Sequence, residues 1–115
     1  RAAVAADTDW ARIAALYDAL VQVVPSPVVA LNRAVAVGMA FGPAAGLELV
    51  EPLAAGPALK DYHLLPAVRG ELLAKLDRID EARAEFARAS KLAKNARERA
   101  LLLARAGGGG ANDKP

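Results

Sequence analysis

AVRGELLAKLDRIDEARAEFARASKL, residues Ala67 to Leu92, holds two apolar series at helical spacing on either side of a short break. Its first half sets apolar residues at Val68, Leu72, Leu73 and Leu76, and its second half sets them at Ile79, Ala82, Phe86, Ala89 and Leu92. Steps of three and four residues put side chains on one face of an α-helix. Between the two series lies only Leu76-Asp77-Arg78, too short for anything but a tight turn. Two amphipathic helices joined this way fold back on each other and leave a second apolar edge that needs a neighbour. The small residues Gly70, Ala82 and Ala89 fall where the facing helices approach.

Working outward, the same signals recur on the N-terminal side. Asp7-Thr8-Asp9 offers cap residues ahead of Trp10, Ile13, Leu16, Tyr17, Leu20 and Val24, so a helix is expected from about Asp9. Pro25-Ser26-Pro27 ends it, and Ser26 as cap with Pro27 in the first helical position starts the next. That second helix carries Leu31, Ala34, Val35 and Met39 and is expected to end near Phe41-Gly42. Pro43 opens a third helix through Leu47 and Val50, which Pro52 is expected to cut or fray, with a loop at Ala54-Ala55-Gly56-Pro57. A fourth helix starts close to Asp61-Tyr62-His63, because Pro66 is tolerated only in a first turn. On the C-terminal side, Asn95-Ala96-Arg97-Glu98 reads as a capping box before a sixth helix reaching Leu103 or Ala106. Gly107 to Gly110 and the residues after them lack the apolar content to order themselves.

Laid over itself, the chain repeats. Phe86 steps back about 35 residues to Glu51 and about 34 more to Tyr17, Ala82 steps to Leu47 and then Ile13, and Asp77 steps to Gly42. The ~34-residue tetratricopeptide pattern has Gly in its first helix and A-x3-F in its second, which Gly70 and Ala82-x3-Phe86 match. The expected fold is therefore all-α, tetratricopeptide-like stacked helical hairpins of about six helices. It reads as half a repeat (9–25), two full repeats (27–55 and 62–93) and a capping helix. Glu51 and Asp77 depart from the pattern, and the residues from Pro57 to Asp61 stretch one period.

Composition bounds the function. A formal charge of +2, with acidic and basic residues interspersed, supplies no basic stripe for nucleic acid. The absence of cysteine excludes disulfides and thiolate-ligated zinc and fits a cytoplasmic protein. The apolar run from Ala34 to Leu47, about 14 residues and interrupted by glycine and Pro43, falls short of the ~20 a membrane span needs. Ser26 and Ser90, the only serines, suit a cap and a solvated face. The single histidine, His63, neighbours Asp61, a pairing able to orient a general base, but no nucleophile is near and a hydrogen bond at the helix start explains it. No catalytic residue, metal ligand set or cofactor is expected. Trp10, Tyr17 and Phe86 at helical spacing read as core, and the charges from Arg83 to Arg99 as a mixed, solvated face. Asn32 and Arg33 sit beside a dense apolar run on the helix class that lines the concave side of such repeats, and Arg69 and Glu71 sit on the equivalent helix one repeat on. These residues suit either a grip on a peptide or an intramolecular Arg–Glu and Asn–backbone network. A carboxylate clamp wants several Asn and Lys residues here, and only Asn32 is present.

Particular strings go further: Ala6-Asp7-Thr8-Asp9-Trp10, Tyr17-Asp18-Ala19-Leu20, Pro25-Ser26-Pro27-Val28-Val29-Ala30-Leu31-Asn32-Arg33-Ala34-Val35-Ala36, Gly42-Pro43-Ala44-Ala45-Gly46-Leu47, Asp61-Tyr62-His63-Leu64-Leu65-Pro66-Ala67, and Asn95 to Arg99. Together, over about residues 1–105, these resemble the C-terminal region of a group of bacterial extracytoplasmic-function RNA polymerase sigma factors that carry a tetratricopeptide-like domain. The resemblance implies a cytoplasmic regulatory domain rather than a catalyst. It would tune transcription initiation by contact with its own sigma regions, core RNA polymerase or another regulatory protein, with DNA bound only through sigma regions ahead of it and no role for a membrane. Residues 1–8 then read as the end of a linker, 9–106 as the repeat domain and 107–115 as a disordered tail. Asn32, Arg33, Asp61, Tyr62, His63 and Arg69 match the strings and become candidate contact or architectural residues. The alternative is a free-standing repeat adaptor that binds a peptide or small ligand in its groove.

Overall fold

Four of the six helices begin where a side-chain cap or a proline answers the orphaned first-turn amides, and α4 and α5 begin without a side-chain cap. A computed structural model describes residues 8–107, and the expectations for the first seven residues and for the tail after Gly107 lie outside them. Six helices follow in order: α1 Trp10–Val23, α2 Pro27–Phe41, α3 Pro43–Ala55, α4 Leu64–Lys75, α5 Ile79–Leu92 and α6 Ala96–Ala106. The Asp9 carboxylate accepts from the Arg12 N–H at 3.1 Å and the Ser26 hydroxyl from the Val29 N–H at 3.4 Å. Asn95 Oδ1 accepts from the N–H groups of Arg97 and Glu98 at 2.8 and 3.0 Å. These satisfy amides that an α-helix leaves orphaned at its start. The reciprocal half of the expected capping box does not form, because the Glu98 carboxylate turns instead to His63.

Every helix packs chiefly on its neighbours in sequence, and α2 also touches α4 across the stack. This one-dimensional succession of antiparallel hairpins is the tetratricopeptide-like, all-α architecture. The core runs through the seam: Leu31, Ala34, Leu47, Val50, Leu65, Leu72, Leu73, Ala82 and Phe86 are all buried. Trp10 and Tyr17, expected in the core, are only half-buried, because among the described residues α1 packs chiefly on α2 and buries Ala14 alone.

Two turns show how the hairpins close. α2 and α3 are joined by Gly42 alone, at φ 106° and ψ 156°, a conformation almost restricted to glycine. The turn between α4 and α5 is a Schellman motif: the Arg78 N–H reaches the Leu73 carbonyl at 2.9 Å and the Asp77 N–H the Ala74 carbonyl at 3.0 Å. Asp77 holds the left-handed position at φ 65°, where the repeat pattern places glycine. Asp77→Gly is accordingly expected to raise stability by about 0.5–1 kcal/mol, the left-handed penalty of an L-residue less the chain entropy glycine adds on unfolding. Urea denaturation measures it.

Pro52 neither cuts nor frays α3, which continues to Ala55. The missing N–H falls in the last turns on an exposed face, while Leu53 and Ala54 beyond it pack against the core and outweigh the lost bond. The residues that stretch the period also have a role: two turns between Pro57 and Tyr62 drop Leu59 into the core, 7 % exposed. Within the first full hairpin, α2 and α3 touch through their backbones. A Cβ built on Gly46 would stand 2.9 Å from both the Gly38 Cα and the Ala34 carbonyl oxygen. Gly46→Ala is therefore expected to destabilise by about 1–3 kcal/mol despite alanine's better helix propensity, because backbone rather than a pliable side chain must yield. Thermal unfolding of the variant checks this.

Candidate functional site

α2 and α4 leave an open apolar groove between them. Val35, Gly38 and Met39 come from α2, and Val68, Glu71, Leu72 and Lys75 from α4. Both sets recur at three- and four-residue steps, so each helix offers one stripe. Gly38 sets the depth: a Cβ there would lie 2.9 Å from Leu72 Cδ2, so the Leu72 side chain rests against the α2 backbone and forms the floor. Met39 stays 46 % exposed at the lip, with the Lys75 amine 3.8 Å from its sulfur. Glu71 is already engaged by Arg105 of α6 through two hydrogen bonds, so its charge is answered from within the fold. The groove thus offers a flexible, apolar surface with a lysine beside it. Its cavity of about 190 Å³ is smaller than the ~300–1,000 Å³ of small-molecule sites and suits one or two inserted side chains.

The residues singled out from sequence divide between groove and scaffold. Asn32 is exposed on the α2 stripe of Val35 and Met39, one turn above Val35. Arg33 turns away from it and donates from Nε to Asp18 Oδ1 at 2.6 Å, tying α2 to α1. Arg69 is not a groove residue. Its Nε and Nη2 clasp both oxygens of Glu51 at 3.0 and 3.2 Å, and its Nη1 donates to Glu85 Oε2 at 2.7 Å. One guanidinium therefore joins α3, α4 and α5. The hydrogen bonds Arg69 donates to Glu51 hold its pKa above its ordinary value, against the opposing effect of burial. Glu51, which broke the repeat pattern, occupies its place as the Arg69 partner.

Asp61, Tyr62 and His63 gather in a separate cleft between the start of α4 and the α5–α6 junction, together with Leu92, Lys94, Asn95 and Glu98. The His63 side chain does not cap α4. Its Nε2 lies 3.2 Å from Glu98 Oε2, so it links α4 to α6, and Tyr62 meets its ring edge-on at 5.8 Å between centroids. Asp61 pairs with Lys60 rather than with His63, so the His–Asp base considered from sequence does not form. The groove residues that sequence reasoning did not single out as a site are Met39, Val35, Val68, Leu72 and Lys75. Helical periodicity marks an apolar stripe but not whether a neighbour covers it, and the unbranched Met39 beside Lys75 was the one available signal.

Comparison with known proteins yields one informative relative. The chain is 52 % identical over 95 residues to an uncharacterized protein of Rhizobium meliloti (strain 1021), an alignment that takes in 83 % of this chain and 22 % of the relative. The chain thus spans about a fifth of the length of the curated relative it matches. No known family profile and no solved structure matches it. Among the described residues no helix is long and apolar enough to cross a membrane.

Proposed function

We propose that the chain is the regulatory, protein-contacting domain of a cytoplasmic bacterial extracytoplasmic-function sigma factor. It acts by seating a segment of its own sigma regions, of core RNA polymerase or of a regulatory partner in the groove between α2 and α4. The specific strings, from Pro25-Ser26-Pro27 through Asn32-Arg33 to Asp61-Tyr62-His63, support the class. The groove supports the mode of action, and one observation carries it: an apolar stripe left open between α2 and α4, with Met39 and Lys75 at its lip. A helix or extended segment with an aliphatic anchor and a nearby carboxylate complements that surface. Arg33, Arg69 and His63 then serve as the ties that hold the groove's walls in register.

Met39→Glu and Lys75→Glu in the full-length protein test the reading, with capture of core RNA polymerase and promoter-dependent transcription as readouts. Each substitution is expected to change one of the two readouts at least tenfold while leaving the far-ultraviolet circular dichroism unchanged, because both positions lie outside the buried core. Wild-type capture and wild-type transcription from both variants would refute it.

A further inference from the structure

The repeat register exposes a mismatch at α1. In α5, Ala82, Phe86 and Ala89 are buried at 2, 3 and 0 % exposure. This is the face that receives the preceding helix of the same hairpin, with Phe86 lying against Gly70 of α4. Two repeats earlier the same register positions are Ile13, Tyr17 and Leu20 of α1. Among the described residues that face is open: Ile13, Leu16, Tyr17 and Leu20 line a surface cleft, with Leu16 63 % and Leu20 40 % exposed. Beside them Ala11, Ala15 and Ala19, all exposed, recur every four residues and would let a second helix approach closely. Of the charged residues on α1, Asp18 is already held by Arg33, which leaves Arg12.

We propose that this face is the seat of an amphipathic helix of the same polypeptide, drawn from the chain ahead of α1 and antiparallel to it. That helix completes a third hairpin, so the domain extends upstream of α1. The stack itself argues for a segment of the same chain rather than a second copy. The open cleft continues the seam along which α2 meets α3 and α4 meets α5, and those partners are joined in sequence by Gly42 alone and by Leu76-Asp77-Arg78. A relative of which this chain represents 22 % has ample polypeptide to supply such a helix. The inference is independent of the sigma-factor reading and survives its failure.

The test uses the full-length protein. With p-benzoylphenylalanine placed at Leu16, irradiation is expected to give an intramolecular cross-link that mass spectrometry maps to the ~35 residues preceding α1, one repeat period. As a smaller probe, Leu16→Cys is expected to react with a maleimide at least tenfold more slowly than Lys91→Cys, which sits on an exposed face. A cross-linked dimer, a cross-link to another protein, or one mapping elsewhere in the chain would each overturn the proposal. So would equal labelling rates at the two positions.

Discussion

Arg69→Ala is expected to lower the unfolding free energy by about 2–4 kcal/mol, the penalty of breaking a buried ion pair reduced for the exposure of one partner. The asymmetry of the site sets the size. Glu51 is 44 % exposed on its side chain and turns to water when the guanidinium is gone. Glu85 cannot. Its side chain is 9 % exposed, its Oε1 already lacks a hydrogen-bond partner, and Arg88 Nη2 comes only to 3.9 Å. Removing Arg69 leaves a carboxylate without a donor between α4 and α5. The double variant Arg69→Met with Glu85→Leu is expected to recover most of the loss, because an apolar pair of similar size carries no desolvation penalty. Urea denaturation of the wild type and the two variants decides it. A loss below about 0.5 kcal/mol for Arg69→Ala would mean the guanidinium is not the tie between the hairpins.

Phe86→Ala is expected to lose about 3–5 kcal/mol and to loosen α6 before the rest of the domain. Phe86 is 3 % exposed, so its removal leaves a cavity as well as losing its transfer free energy. The ring's Cε1 and Cζ lie against Gly70, where an added Cβ would come within 3.0 Å. The Arg105 guanidinium stacks over the ring, 4.4 Å from its centroid. Arg105 also holds Glu71, so the ring, the guanidinium and the carboxylate form one ladder joining α5, α6 and α4. No residue of α6 is fully buried, and this ladder attaches it together with the His63–Glu98 contact and the half-buried Leu102 and Ala106. Hydrogen exchange in Phe86→Ala should therefore rise most over Ala96–Ala106, with α2 and α3 protected longest. Uniform loss of protection would show that α6 is secured elsewhere.

The sequence made the hairpins legible because their signals are local. Ser26-Pro27, Asn95 and the three- and four-residue steps of Ala67–Leu92 each act within a few residues, and the structure uses them as read. What stayed hidden depends on partners distant in sequence. Glu51 looked like a defect in the repeat until Arg69 was seen to claim it, and Glu98 left half of its capping box for His63. Pro52 looked like a stop because local rules do not weigh the packing of Leu53 and Ala54 beyond it. The groove was hidden for a related reason. Val35 and Met39 have the spacing of core residues, and only the placement of α4 decides that their stripe stays open.

Under the proposed function, the α2–α4 face is where this domain meets its partner. Nuclear magnetic resonance of the labelled 115-residue chain, titrated with the remainder of its own protein and with core RNA polymerase, tests it most directly. With at least one of the two, the expected result is shift changes concentrated at Val35, Gly38, Met39, Val68, Leu72 and Lys75, with α3 and the outer face of α5 unchanged. Changes confined to the α3 and α5 side, or none with either partner, would contradict it.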